Sequence, residues 1–473
     1  MKKVFKNFLY QATYQLLLVI LPLITIPIVS NSLGVKGIGI YNYVNSIIVY
    51  FTLVAGLGLA NYGIREIASV REDKSLLAQR FSELLHFNIA VSFSVIVIFI
   101  LFVLMVNRYQ SYFLISGLAI VACMFDISWF FAGIEDFKVV TLSNLVIKCI
   151  SFFLIVFFVN SADDLVKYLL IQSVSLVISN IVMCFFLKGK TTLVKVTLEQ
   201  IFSHFKPAVN YFYGNLAISL YTTLSKTFLG LIVSVSVVGL YSNSMQLLTM
   251  LVIIITTLDT VLMPRLTYLF ESKNVARMIN VIERTFHVQL FLSIPAMFGL
   301  IAINNKLIPW FFGKSFSYLA YTVPVLAPLV IIIPLGTSVM RQYLMPKNEI
   351  AKFNFSVYVG AGIGVTANLL LIPFFKIWGA VVASLLSEIA VTCLRLRYLF
   401  RETSFTFYKK QIVGYCFSGV IMSIVIYVLT YNLQPTIVTT FIQVFVGILV
   451  YGTLTSFLNV NPLISILKKI FEK

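Results

Sequence analysis

The chain contains fourteen apolar stretches, each about 20 residues long, and this pattern restricts its fold more than any other feature. An apolar helix of about 20 residues crosses the hydrocarbon core of a bilayer, which is about 30 Å thick. The stretches occupy residues 10–30, 38–60, 83–105, 111–132, 142–160, 165–187, 207–233, 239–262, 285–304, 320–340, 352–373, 377–397, 411–430 and 437–458. The connections are at most about 22 residues long, too short for a separate soluble domain. The sequence therefore predicts an all-α polytopic membrane protein with 14 transmembrane helices.

The positions of the basic residues predict how the spans are oriented. The sequence has 35 Lys and Arg against 17 Asp and Glu, a formal net charge of +18. If the N-terminus is cytoplasmic, 27 of the 35 basic residues lie in cytoplasmic segments and only 5 in outer segments. Because Lys and Arg are retained in cytoplasmic loops, we expect both termini in the cytoplasm. The positive charge then needs no nucleic-acid partner, which would require one solvated basic face.

The residue types that build metal sites and disulfides are scattered. All five cysteines fall within predicted spans, where they pack as small apolar residues. The three histidines have no carboxylate or cysteine at ligand spacing. We therefore expect no metal site, no disulfide framework and no cofactor.

The two halves of the chain match each other at an offset of 200 residues. The matching pairs are Gly39-Ile40-Tyr41 with Gly239-Leu240-Tyr241, Arg65 with Arg265, and Glu83 with Glu283. Six spans separate corresponding points, and an even number preserves orientation. The halves are thus expected to be parallel repeats related by an axis along the membrane normal.

This repeat predicts three segments. An N-terminal six-helix lobe covers residues 1–195, a C-terminal six-helix lobe covers 196–402, and two additional helices with a cytoplasmic tail cover 403–473. Two such lobes around a cavity can open it to one side of the membrane at a time. That motion is what alternating access requires.

Four short stretches are similar to one family of transporters. They read SLGVKGIGIY at 32–41, GLGLANYGIREIA at 56–68, WFFAGIEDFK at 129–138 and FGKSF at 312–316. With the layout of six, six and two spans, they resemble the polysaccharide transport family. These are the Wzx-type lipid-linked oligosaccharide flippases of the multidrug/oligosaccharidyl-lipid/polysaccharide exporter superfamily, which have the MATE/MOP-like fold.

The resemblance implies a flippase in the bacterial cytoplasmic membrane. Such a protein moves undecaprenyl-diphosphate-linked repeat units from the inner to the outer leaflet for capsule, O-antigen or exopolysaccharide biosynthesis. Its partners would be this substrate, membrane lipids, a coupling proton or sodium ion, and polysaccharide-assembly proteins. It is not expected to be an enzyme, and no catalytic residue is carried over.

Two other functions are compatible with the span pattern. An ion-coupled drug antiporter of the same superfamily would share the fold, although Lys148 and Lys226 within spans suit an anionic cargo better than a cationic drug. A membrane polysaccharide polymerase would need a larger outer loop or a cluster of His, Arg or carboxylates. The short outer loops disfavour it.

Span 7 carries one polar stripe along an apolar helix. Tyr211, Asn215, Thr222 and Lys226 follow helical spacing. We expect the Lys226 ammonium to bind the diphosphate or an acidic sugar, and the hydroxyls and amide to bind sugar hydroxyls. The alternative is that Lys226 extends to the outer interface.

Span 1 has a comparable pattern. Gln11 and Gln15 share one face, and Pro22 and Pro27 follow. Proline leaves backbone carbonyls unpaired and bends a helix, so span 1 is expected to line the cavity and to flex. A bend that serves packing alone is the alternative.

Four ionisable residues within spans are candidates for ion coupling. Glu388 lies near the middle of span 12 and can take up and release a proton, or else form a structural hydrogen bond to a neighbouring helix. Asp259 lies near the cytoplasmic end of span 8. Asp126 and Lys148 lie at similar depth in spans 4 and 5, where an ion pair between them is expected, with either a functional or a purely structural role.

Residues at the ends of the spans form the last group. Arg65 and Arg265, equivalent in the repeat, are expected at the cytoplasmic mouth, either to attract a lipid diphosphate or simply as retained cytoplasmic charges. Trp129 and Trp378 are expected to be aromatic anchors at the membrane interface.

Overall fold

The computed structural model describes residues 2–462, with side chains from residue 20 onward. Every regular element in this part of the chain is a helix, which confirms the predicted all-α polytopic fold. The chain forms two compact units, Met1–Thr227 and Phe228–Lys473. The division into segments 1–195, 196–402 and 403–473 stays a prediction.

The first unit is built from ten helices. They are α1 (Lys2–Gly56), α2 (Leu59–Val70), α3 (Lys74–Met105), α4 (Gln110–Ser116), α5 (Leu118–Met124), α6 (Ser128–Gly133), α7 (Phe137–Phe158), α8 (Leu165–Phe185), α9 (Leu198–Ser203) and α10 (Phe205–Phe228). Predicted spans 3, 5 and 6 correspond to the unbroken helices α3, α7 and α8. Span 4 is divided among α4, α5 and α6.

The longest helix, α1, is kinked at Gly34. This residue has φ +63° and ψ −176°, a conformation that only glycine adopts readily. Straight, a helix of 55 residues would be about 80 Å long, more than twice the hydrocarbon thickness. The kink separates the two predicted spans 10–30 and 38–60.

Two of the stretches that carry the family resemblance pack against each other through α2 and α6. A Cβ on Gly63 would lie 3.0 Å from the Trp129 ring, and a Cβ on Gly133 would lie 2.6 Å from the Ile67 side chain. Trp129 is only 2% exposed, and its indole N–H donates to the carbonyl of Asp126 at 2.9 Å. The prediction that Trp129 is an interfacial anchor is therefore wrong, because α2 encloses the ring.

Ion pairs join the connections next to these helices. Arg71 pairs with Glu135, and Lys190 pairs with Asp136 at 2.8 Å. The hydrogen bond with Glu135 raises the pKa of the Arg71 guanidinium above its ordinary value. These contacts tie the connection after α2 and the connection after α8 to the turn between α6 and α7.

The second unit contains the remaining eight helices of the described chain. They are α11 (Val235–Glu271), α12 (Val275–Phe311), α13 (Leu319–Leu326), α14 (Leu329–Val339), α15 (Ile350–Phe375), α16 (Ile377–Glu402), α17 (Lys409–Thr430) and α18 (Ile437–Phe457). Span 10 is divided between α13 and α14. The other predicted spans of this unit are single helices.

Two π-helical segments interrupt the regular helices. Leu229–Val233 follows α10, and Met340–Leu344 follows α14. A π turn inserts one extra residue per turn and is frequent at functional sites. In the second segment, Arg341 and Gln342 both donate hydrogen bonds to side chains of α11.

An ion-pair network closes one end of the second unit. Lys347 donates to Glu402 at 2.8 Å and to the Tyr343 hydroxyl at 3.0 Å, and Lys352 also pairs with Glu402 at 2.7 Å. Burial alone would lower the pKa of Lys347, but the contacts with Glu402 and Tyr343 outweigh it, so the pKa lies above its ordinary value. The network fixes the connection between α14 and α15 to the end of α16.

Thirteen helical segments with described side chains are long and apolar enough to cross a membrane. The first of them, Ile20–Val70, has 51 residues and includes the Gly34 kink, so it contains all of predicted span 2 and the end of span 1. The other twelve coincide in order with predicted spans 3 to 14. Fourteen crossings are consistent with this arrangement.

The two glutamates matched by the 200-residue offset make corresponding contacts, each within its own unit. Glu83 on α3 meets the Nε2 atom of His204, just before α10, at 3.1 Å. Glu283 on α12 accepts the backbone N–H of Thr406, just before α17, at 3.0 Å. In both units a carboxylate therefore holds the segment that leads into a later helix.

Candidate functional site

The candidate cargo site in the first unit begins where α2 meets α10. Arg65 on α2 donates a hydrogen bond to the hydroxyl of Tyr211 on α10 at 3.0 Å. The start of α10 approaches the backbone closely here, because a Cβ on Gly58 would lie 2.5 Å from the carbonyl oxygen of Ala208. Gly58 also has φ +72°, so glycine permits both the turn into α2 and the close approach. The structure thus brings together two residues, Arg65 and Tyr211, that the sequence assigned to the same site.

A buried polar group positions the base of α10. The Nδ1 atom of His204 lies 2.7 Å from the Tyr62 hydroxyl, and Nε2 lies 3.1 Å from Glu83. The side chain of His204 is 2% exposed and that of Glu83 is 5% exposed. The Tyr62 ring in turn packs 5.9 Å from the Tyr211 ring. Sequence reasoning missed this group, although a histidine and a glutamate so close to apolar spans gave a signal for it.

The polar stripe of span 7 lies on one unbroken helix, α10. Tyr211 and Lys226 are 15 residues apart, about 22 Å along the axis. Thr222 is exposed, while Tyr211, Asn215 and Lys226 are half-buried. We call these four residues the α10 polar face.

Lys226 has no hydrogen-bond or ion-pair partner among the side chains that the structure describes. Its neighbour Thr227 is buried and donates to Ser46 on α1 at 2.9 Å. That bond fixes the rotation of α10 about its axis and leaves the Lys226 side chain on an adjacent face. An ammonium group without such a partner has its three N–H donors available for a ligand.

Three other proposed cargo residues have different surroundings. Arg265 on α11 is exposed and belongs to the second unit. The side chains of Gln11 and Gln15 lie outside the described residues, although the backbone there is part of α1. Their proposed contact with cargo stays a prediction.

The expected ion pair between Asp126 and Lys148 does not form among the described side chains. Asp126 lies in the break between α5 and α6, and its carboxylate accepts the backbone N–H of Ser128 at 2.9 Å. The break turns the carboxylate toward the start of α6, which leaves Lys148 exposed on α7. The pair was predicted on the assumption that span 4 is one continuous helix.

The two remaining intramembrane acids lie in the second unit. Glu388 is half-buried on α16. Asp259 on α11 is 0% exposed and is contacted by Gln289, Ser338 and Gln342. Asp259 was predicted from the sequence but its three partners were not, although Gln289 and Ser338 are polar residues inside apolar spans.

The sequence matches one known protein family over more than half of its length. The family described as "Polysaccharide biosynthesis protein" matches residues 4–270, more than half of the chain. The chain belongs to this family. The resemblance derived from the sequence to Wzx-type flippases is thereby confirmed.

Named relatives of this chain include an O-antigen transporter and a glycan biosynthesis flippase. The chain is 23% identical over 404 residues to the "Putative O-antigen transporter" of Escherichia coli (strain K12). The matched region covers 83% of this chain and 96% of the relative. It is 27% identical over 238 residues to the "Probable low-salt glycan biosynthesis flippase Agl15" of Haloferax volcanii, covering 50% of each chain.

Solved structures share the fold. The lipid II flippase MurJ in an inward closed conformation matches with a TM-score of 0.72 and 14% identity, covering 96% of this chain and 98% of that one. An inward-facing multidrug resistance MATE family transporter of the MOP superfamily matches with a TM-score of 0.65 and 11% identity, covering 84% and 99%. At these identities the likeness establishes the fold, and the chain is a multi-pass membrane protein with the MATE/MOP-like architecture.

Proposed function

We propose that this protein is a flippase that moves undecaprenyl-diphosphate-linked oligosaccharide repeat units from the inner to the outer leaflet of the bacterial cytoplasmic membrane. The repeat units would serve capsule, O-antigen or exopolysaccharide biosynthesis. The single observation that best supports this is the α10 polar face, which ends at Lys226, a cation without a partner among the described side chains. Relatives named as an O-antigen transporter and a glycan biosynthesis flippase support the same class of cargo.

The chemistry of the cargo matches the arrangement of these residues. A lipid diphosphate is anionic, and its sugars carry many hydroxyl groups. Arg65 can bind the diphosphate at one end of the face and Lys226 can bind it at the other. Asn215 and Thr222, between them, supply a neutral amide and a hydroxyl for the sugars. A face of about 22 Å is long enough for several sugar residues to be bound in sequence.

Several parts of the proposal extend beyond this face. Both termini are cytoplasmic. Arg265 attracts the cargo as Arg65 does. Gln11 and Gln15 contact the cargo from span 1. Transport proceeds by alternating access of the two predicted lobes, coupled to a proton or sodium ion through acids such as Glu388. Polysaccharide-assembly proteins receive the cargo, and no covalent bond is made or broken, so the protein is not an enzyme.

A drug antiporter is the second candidate, because a multidrug transporter shares the fold. Lys226 disfavours it, because this cation has no partner among the described side chains and would repel a cationic drug from the α10 polar face. A polymerase has less support still, because the outer connections are short.

Reconstitution tests the proposal. The purified full-length protein is placed in liposomes with a fluorescent undecaprenyl-diphosphate-linked disaccharide, and an impermeant glycosidase then digests the disaccharide exposed on the outer leaflet. With active protein nearly all of the lipid becomes accessible, whereas protein-free liposomes should protect about half. Protection that stays at one half with folded protein would contradict the proposal. Rescue of surface polysaccharide in a deletion strain of the host provides the same test in cells.

A further inference from the structure

The buried cluster around Asp259 holds more oxygen atoms than its hydrogen atoms can satisfy. It consists of Asp259 on α11, Gln289 on α12, Ser338 on α14 and Gln342 in the π segment. All four side chains are at most 1% exposed. Among the described residues none of the ion pairs involves Asp259, so the carboxyl group is buried beside neutral partners.

The distances define a closed ring of three side chains. The Gln289 amide lies 2.7 Å from Asp259 Oδ1, and its other terminal atom lies 2.6 Å from Ser338 Oγ. Ser338 Oγ lies 2.9 Å from Asp259 Oδ1 and 3.1 Å from Oδ2. Gln342 also donates to Oδ1. The amides of Gln289 and Gln342 already occupy both lone pairs of Oδ1, so a hydrogen bond between Ser338 and the carboxyl group has to use Oδ2.

The hydroxyl group of Ser338 has only one proton. If that proton goes to Gln289 Oε1, the closest acceptor, then the contact between Ser338 Oγ and Oδ2 has none. If it goes to Asp259, then Gln289 Oε1 and Ser338 Oγ are 2.6 Å apart with no hydrogen between them. Either arrangement places two lone pairs against each other in a buried site, which is strongly unfavourable.

Rotating the Gln289 amide by 180° still leaves the cluster one hydrogen atom short. Its NH2 group then donates to Ser338, but its oxygen lies 2.7 Å from Asp259 Oδ1 with no proton between them. One additional proton resolves both cases. When this proton is on Asp259 Oδ2, the carboxyl group donates it to Ser338 Oγ. The Ser338 hydroxyl then donates to Gln289 Oε1, and the Gln289 amide donates to Asp259 Oδ1.

We propose that Asp259 carries a proton in this conformation, as the protonated member of an Asp259–Ser338–Gln289 ring, and that it releases this proton during the transport cycle. The ring joins α11, α12 and α14. Loss of the proton breaks one of its bonds and leaves a buried carboxylate that attracts water, so the three helices no longer prefer the same packing.

The charged groups on the surrounding helices are either bonded to other residues or exposed. Arg341, adjacent to the cluster, donates to Thr260 at 2.7 Å, and Arg395 on α16 donates to Ser356 at 3.0 Å. On α12, Glu283 faces Thr406, Arg284 is exposed, and His287 contacts Tyr415. Arg341 is thus the cation placed to stabilise Asp259 once the proton has left.

Infrared difference spectroscopy tests the proton directly. The full-length protein in lipid is measured between neutral and alkaline pH, in H2O and in D2O. On going from neutral to alkaline pH, wild-type protein should lose a carboxylic-acid C=O band, and this band should shift in D2O. Asp259→Asn should lack the band at both pH values. Glu388→Gln should behave as the wild type does. Ser338→Ala retains the acid but removes its hydroxyl partner, so it should shift the band. Spectra of wild type and Asp259→Asn that are identical in this region would overturn the proposal.

The role in the cycle rests on the proposed function, whereas the proton itself does not. In the liposome assay, a pH gradient with the interior either more acidic or more alkaline than the outside should change the wild-type flipping rate severalfold. The flipping rate of Asp259→Asn should not change. Wild-type and Asp259→Asn rates that respond equally to the gradient would contradict the coupling. If wild-type protein shows the infrared band but flips no lipid, the proposed function fails and the proton site stands.

Discussion

The guanidinium of Arg65 donates a hydrogen bond to the hydroxyl of Tyr211 at 3.0 Å, although the residues are 146 positions apart. The bond joins α2 to α10 and places an exposed cation at one end of the α10 polar face. A guanidinium has five N–H donors in a rigid fork, so the bond to Tyr211 leaves donors for a phosphate group. The orientation of Arg65 is therefore set by the protein itself and does not depend on the proposed cargo.

Replacing Arg65 with Gln is expected to weaken cargo binding. A hydrogen bond to a charged group contributes about 1.5 kcal/mol or more, so the concentration of lipid-linked disaccharide needed for half-maximal flipping should rise roughly tenfold. The liposome assay measures this at matched protein density. Arg71→Gln is the control, because Arg71 is already paired with Glu135. Equal losses in both variants would show that Arg65 acts through general positive charge alone.

Replacing Lys226 with Gln is expected to separate stability from function. A partnerless ammonium within a span is costly, by about 3 kcal/mol on insertion scales, so its removal should raise the thermal unfolding temperature in detergent. The same change should lower flipping about 10- to 100-fold, because the cargo loses a charged hydrogen bond. Lys167→Gln, at an exposed lysine that pairs with Asp164 at 2.6 Å, is the control and should change neither quantity much. A Lys226 variant that is more stable and still fully active would remove Lys226 from the cargo site.

The spans could be predicted from the sequence because the signal is local. About 20 apolar residues must form a helix in lipid, whatever the rest of the chain does. The separation of spans 1 and 2 was also predicted, and the structure places the kink at Gly34 between them. The α10 polar face followed from helical spacing alone, and Tyr211 and Lys226 do lie on one unbroken helix.

Contacts between distant parts of the chain could not be predicted in this way. Asp126 and Lys148 stand at matching depth, but the break after α5 depends on backbone packing that no periodicity reports. Trp129 was expected at the interface by residue type, whereas Gly63 makes room for it inside the first unit. The ring around Asp259 requires three helices to meet, and a single sequence does not specify which faces do so.

Gly58→Ala is expected to disturb the cargo site through the backbone. The added Cβ would meet the Ala208 carbonyl oxygen at 2.5 Å, and φ +72° strains any residue other than glycine by about 1 to 3 kcal/mol. We expect a lower unfolding temperature and slower flipping, because α10 must move away from α2. Gly56→Ala is the matched control: no atom lies within 4 Å of its Cβ, and the residue is helical. Similar behaviour of the two variants would contradict the close approach.

Glu83→Ala is expected to destabilise the first unit more than Glu283→Ala destabilises the second, even though the two glutamates correspond in the repeat. Glu83 belongs to a buried group with His204, and removal of one partner of a buried pair costs about 3 kcal/mol. Glu283 accepts one backbone N–H from Thr406 at a more exposed position, worth about 1 kcal/mol. Unfolding of the purified variants in detergent by heat measures the difference. The double variant Glu83→Ala, His204→Ala should lose less stability than the sum of the two single variants, because both single variants lose the same Glu83–His204 contact. Additive losses would show that the histidine and the glutamate stabilise the first unit independently of each other.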